Sequence, residues 1–158
     1  MAETYRLSAL LKLRLRAREE AEAELARAQT SQTKAKKQVE AAERFEQDCA
    51  AKVEAAKSEL YAGESLTIAL IQSREQFVKR LVVEHENAGQ SVLESQELLE
   101  QAQEVLRQAN QNLVNTKTEE EALLKHKEQW LKEQKVVRRR REEDEADDIA
   151  QSLWLRKK

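Results

Sequence analysis

The sequence predicts an all-α chain folded as a two-helix antiparallel coiled-coil hairpin with a C-terminal helical overhang. Three observations carry this expectation. Among 158 residues there is no proline, and the only glycines are Gly63 and Gly89, so almost nothing interrupts a helix. Charged residues make up 37% and aromatic residues 4%, a composition suited to long solvated helices rather than a compact core. The apolar and small residues also recur every seven positions, which a disordered chain of the same charge would not require.

Helix one is expected from about residue 4 to 61. One stripe runs Leu11, Leu25, Val39, Val53 and Leu60, with Gln32 and Glu46 as polar interruptions. Its companion runs Leu7, Ala21, Ala28, Ala35, Ala42, Cys49 and Ala56. The repeat is that of a left-handed coiled coil, and the alanine-rich stripe lets two helix backbones approach closely. A turn follows at about 62–66. Gly63 is suited to the left-handed conformation that closes a helix, and Ser65 or Thr67 to capping the next one. Helix two is expected at about 67–155. Its stripes are Ile71, Val78, His85, Val92, Leu99, Leu106 and Leu113, and Leu81, Ala88, Ser95, Ala102, Ala109, Thr116, Leu123, Trp130 and Val137. Gly89 lies outside both and marks a soft point. The whole chain reads as a single elongated unit.

A turn centred near Ser65 opposes residues whose numbers add to about 131. Leu25 then faces Leu106, Val39 faces Val92, and Val53 faces Val78. Charges agree with this register. Lys12 and Arg14 fall opposite Glu119, Glu120 and Glu121, Lys34 and Lys37 near Glu94 and Glu97, and Glu54 and Glu59 near Arg74 and Arg80. Flanking charges of opposite sign orient coiled coils, although each exposed pair contributes only about 0–1 kcal/mol. Tyr5 faces His126, so residues beyond about Lys127 are left without an internal partner. This overhang holds Trp130, Leu131, Val136 and Val137, then Arg138, Arg139, Arg140 and Arg141, an acidic run from Glu142 to Asp148, and finally Ile149, Leu153, Trp154 and Leu155. The arginines either pair with acids four residues on or form a docking tail. Tryptophan is a favoured interface anchor, which makes Trp130 and Trp154 candidates for partner contact.

The turn end is the most apolar stretch. A two-helix seam takes Ile71, Val78 and Leu81, while Phe77, Val82 and Val83 either leave exposed apolar surface or are covered by Phe45, Leu60 and Tyr61.

Several function classes find no support. The two glycines cannot form a phosphate-binding loop, and one cysteine with two histidines does not make a usual zinc site. No nucleophile–base–orienter set is present, so we expect no catalytic, cofactor-binding or metal-binding residues and no enzymatic activity. His85 reads as a polar interruption of the seam, His126 as exposed near the open end, and Cys49 as a small apolar seam residue. The formal net charge of −2 and the acids beside the arginines argue against nucleic acid as a partner. No run approaches the roughly 20 apolar residues of a membrane span, so no membrane insertion is expected. A lone thiol fits a reducing, cytoplasmic location.

Three segments resemble the central stalk family of type III secretion systems, which includes FliJ, YscO and SctO. They are the leucine- and arginine-rich start from Leu7 to Glu20, the Ala62-Gly63 turn followed by Phe77-Val78-Lys79-Arg80-Leu81, and the basic-then-acidic end from Arg138 to Asp148. The similarity spans the chain but is weak residue by residue. It implies a stalk at the cytoplasmic face of a membrane secretion apparatus, more in keeping with an injectisome than a flagellum. The open end would insert into a hexameric export ATPase and promote its assembly and activity. The turn end would point to the nonameric ring of the export gate, and export chaperones would be further partners. The resemblance makes Leu7, Leu11, Arg14, Arg18, Trp130, Arg138, Arg139, Arg140 and Arg141 the ATPase-facing set, and Phe77 and Leu81 the gate-facing pair. Few aromatics lie on helix one near the turn, only Phe45 and Tyr61, which departs from the flagellar pattern. A structural tether or chaperone-binding scaffold with no ATPase partner is the competing expectation.

Overall fold

The computed structural model describes residues 4–157. Its secondary structure is two helices, α1 (Ser8–Glu59) and α2 (Ile68–Arg156), with no strand among the described residues. They pair antiparallel as a helical hairpin. Both helices contribute to two compact units. One spans Ala23–Asn110 and contains the turn; the other contains the residues up to Glu22 and those from Gln111 onward.

In the turn unit the seam follows the heptads. Ala28, Ala35, Val39, Cys49, Val53 and Ala56 of α1 are buried together with Ala88 and Ala109 of α2. Leu25, Gln32, Ala42, Val78, Leu81, Val92, Leu99 and Leu106 are half-buried between them. Successive steps of three and four residues keep one narrow stripe of each helix against the other. Two polar interruptions meet: Nε2 of His85 lies 2.5 Å from Oε1 of Glu46. Each gives the other a partner that an apolar layer would deny it. α2 runs through Gly89 without a break. A small-residue seam gains little transfer energy per layer, about 0.8 kcal/mol per buried methylene-sized group, so stability rests on the number of layers.

The turn is built differently from the expectation in two respects. α1 ends at Glu59, and its last carbonyls are first used in tight turns, Leu60 N–H to the Lys57 carbonyl at 3.3 Å and Ala62 N–H to the Glu59 carbonyl at 3.2 Å. Gly63 sits inside the loop with a φ of 111°, a conformation costly for any residue with a Cβ. Of the two candidate caps, Thr67 is the one used: its hydroxyl oxygen accepts from the Leu70 N–H at 3.2 Å.

The second difference concerns Arg74, which meets Glu59 as the register expects, but at its backbone carbonyl rather than its carboxylate. Its guanidinium donates to the backbone carbonyls of Glu59 and Ala62, both at 2.7 Å, and of Leu60 at 3.4 Å. These are groups that a helix C-terminus leaves unsatisfied, and a cation there also opposes the helix dipole. Glu54 instead pairs with Lys57 on its own helix, and Arg80 lies over the Phe77 ring. We expect Arg74→Ala to lower stability by about 1–2 kcal/mol, because three carbonyls lose a charged donor but remain open to water. Amide exchange would show the loss as faster opening of residues 60–67. Unchanged exchange there would mean that the loop holds itself.

Candidate functional site

The side chains able to meet partners fall into two groups, one in each unit. In the unit holding the chain ends, Tyr5 precedes α1 and is buried. Its hydroxyl shares a 2.7 Å hydrogen bond with Nδ1 of His126, and its ring lies 5.4 Å from the Trp130 ring, centroid to centroid. The Tyr5–His126 pairing follows the expected register. Trp130 does not belong to the free overhang as expected. It lies one turn beyond His126, and the Tyr5 ring meets both rings. The described contact across the hairpin therefore continues to Trp130; Gln134 is half-buried, and every described residue after it is exposed. Val137, assigned to the stripe from its spacing, lies past that limit.

Leu7, just before α1, and Leu11, Arg14 and Arg18 within it follow one face. They are half-buried because they continue the heptad of Ala21 and Leu25. Arg14 forms an ion pair with Glu119. Nη1 of Arg18 forms an ion pair with Glu120 at 3.1 Å, and Glu120 is the one charged residue buried among those described, 7% exposed. The Nε of Arg18 is buried with no hydrogen-bond acceptor. These four side chains hold the two helices together, and the outward positions beside them belong to Leu10, Leu13 and Leu15. Lys34 and Lys37 also differ from expectation. They line an open groove on the exposed flank of α1 with Ala26, Gln29, Thr30 and Thr33, rather than reaching Glu94 and Glu97.

Arg138, Arg139, Arg140 and Arg141 lie on the exposed stretch of α2. Of the four, Arg139 pairs with Glu143 at 3.5 Å, and the other three make no ion pair among the described residues. The alternative in which all four pair with acids one turn on therefore holds for one of them.

Near the turn, the exposed reading of the apolar stretch is the one realised. Phe77 is 49% exposed, and Val83, Phe45, Tyr61, Leu66 and Ile68 also face solvent, so Phe45 and Tyr61 do not cover the end. Phe77 and Leu81 lie together along an open groove of about 220 Å³ with Lys52, Ala55, Ala56 and Glu59. Leu81 contributes from the seam edge and Phe77 from outside it.

Cys49 is sealed in the seam at 2% exposure, and burial, aided by the nearby Glu84 carboxylate, raises its thiol above the ordinary value. A thiol so placed behaves as packing rather than as a nucleophile. Among the described residues no group of three or more His, Cys, Asp or Glu is arranged to hold a metal ion. No helix among them is long and apolar enough to cross a membrane.

A solved structure of a candidate YscO homolog from Chlamydia trachomatis has the same fold. It superposes with a TM-score of 0.81 at 21% identity, covering 96% of this chain and 95% of that one. No curated protein matches the chain. The family model described as YscO-like protein matches residues 2–158, practically the full length. The chain therefore belongs to the YscO-like protein family, stalk-like proteins of type III secretion.

Proposed function

We propose that this protein is the central stalk of a type III export apparatus, working by contact alone and without catalysis of its own. It inserts its open end into the hexameric export ATPase and presents its turn end to the nonameric ring of the export gate. In this way it promotes ATPase assembly and links it to the gate at the cytoplasmic face of the membrane. Export chaperones are further partners, and an injectisome is the setting we favour.

The observation that carries the reading is the stretch of α2 beyond Gln134. Residues 135 to 157 are exposed, and of Arg138, Arg139, Arg140 and Arg141, Arg139 alone forms an ion pair among the described residues. One asymmetric shaft cannot match six identical subunits at once, so its contacts should be polar and individually weak. Arg138, Arg139, Arg140 and Arg141 are suited to such contacts directly. Leu7, Leu11, Arg14, Arg18 and Trp130 support them by tying α1 to the root of that helix, and Phe77 with Leu81 offers the apolar contact for the gate.

The test is ATP hydrolysis by the cognate secretion ATPase, recorded against the stalk-to-ATPase ratio. Activation should saturate near one stalk per hexamer. Replacing all four arginines with alanine should raise the half-activating concentration by about tenfold, from four exposed pairs worth about 0.2–1 kcal/mol each. A folded, soluble protein that gives no activation would leave a tether or chaperone-binding scaffold as the better account.

A further inference from the structure

We propose that the exposed end of α2 is also a self-recognition surface whose occupant is a second copy of the same segment, lying antiparallel. The case rests on the order of charges and apolar residues along residues 136–153. Val136 and Val137 come first, then Arg138 to Arg141, then Glu142, Glu143, Asp144, Glu145, Asp147 and Asp148, and then Ile149, Ala150 and Leu153. The sequence is charge-inverted about Glu143. Arg138, Arg141, Glu145 and Asp148 follow one another in steps of three, four and three, so they share one face of α2. A two-fold axis at the level of Glu143 sets Arg138 against Asp148 and Arg141 against Glu145 of the second copy on that face. Glu143 lies on the opposite face, where it pairs with its own Arg139 at 3.5 Å.

Three features of the structure make this surface available. All of these residues are exposed, including Val136, Val137, Ile149 and Leu153. The segment is continuous helix, so its faces are already arranged. Arg138, Arg140 and Arg141 make no ion pair among the described residues, which leaves their charge to be matched from outside. A parallel arrangement would stack arginine on arginine and acid on acid, so the charge order selects the antiparallel one. Such a contact is isologous and closes as a dimer. It concerns this segment alone and stands whether or not the same segment enters an ATPase ring.

Sedimentation of the full chain across a concentration series should show a reversible monomer–dimer equilibrium. Dimer affinity should fall roughly tenfold or more between about 20 mM and about 500 mM salt. Replacing Arg138, Arg139, Arg140 and Arg141 with Glu should abolish the dimer, as should replacing Glu142, Glu143, Glu145 and Asp148 with Lys. Mixing those two variants should restore a dimer. Orientation follows from cysteine cross-linking in a Cys49→Ala background. Arg138→Cys and Asp148→Cys chains should join to each other when mixed and not to themselves. Circular dichroism on each variant separates loss of pairing from loss of helix. A chain that stays monomeric at low salt and high concentration overturns the proposal. So does a dimer that survives the arginine reversal, which would place self-association elsewhere, such as on the apolar surface near the turn, and so does linkage of Arg138→Cys chains to themselves.

Discussion

Glu120→Ala is expected to lower the stability of the hairpin by about 2–3 kcal/mol, because it strands a partly buried arginine against the seam. Glu120 is buried and forms an ion pair with Nη1 of Arg18 at 3.1 Å, while the buried Nε of Arg18 has no hydrogen-bond partner and reaches Glu22 at only 3.8 Å. Removing the carboxylate leaves the guanidinium with the longer Glu22 contact, at 3.8 Å, as its remaining ion pair. The remaining solvent access of Arg18 keeps the loss below that of a fully buried pair. Thermal unfolding followed by far-UV circular dichroism measures it. The double replacement Arg18→Met with Glu120→Leu should recover most of the stability, since two apolar side chains suit a seam layer as well as an ion pair does. If the single variant unfolds like the native chain, the pair is solvated and does not hold the register.

Ala21→Leu is expected to cost about 1–3 kcal/mol, because the position has no room for three more carbons. Ala21 is 1% exposed, the least accessible apolar residue described. A leucine there must push the backbones apart or adopt an unfavourable rotamer, and the Arg18–Glu120 pair in the next layer would stretch with it. Ala23→Leu is the matched control. It lies two residues away on the exposed side, and leucine is nearly as good a helix former as alanine, so stability should stay within about 0.5 kcal/mol. Equal melting temperatures for the two variants would mean that the alanine stripe does not set the inter-helix distance.

Much of the seam was legible because a coiled coil repeats. From Ala21 to Leu60 and from Ile71 to Trp130, the positions picked out by steps of three and four are the ones that the structure buries or half-buries. The register was legible too, since a turn near Gly63 and two opposed charge patterns allow one alignment. Tyr5 with His126 and Glu46 with His85 follow it. The candidate site was less legible. Leu7, Leu11, Arg14 and Arg18 carried both a heptad spacing and a family-like outward role, and only the packing assigned them to the seam.

Sequence by itself determined the helices, the turn and the buried stripe of each helix, because periodicity and the absence of helix breakers are local properties summed over many residues. Tertiary structure alone decided where long side chains go. Arg74 had carboxylates and backbone carbonyls within reach, and the carbonyls won because the end of α1 leaves them unsatisfied close to its guanidinium. Trp130 lay at the boundary between seam and overhang, and the non-helical approach of Tyr5 brought it inside. Phe45 and Tyr61 could have folded over the turn end, but two helices have only one shared face, and both side chains project from outside it.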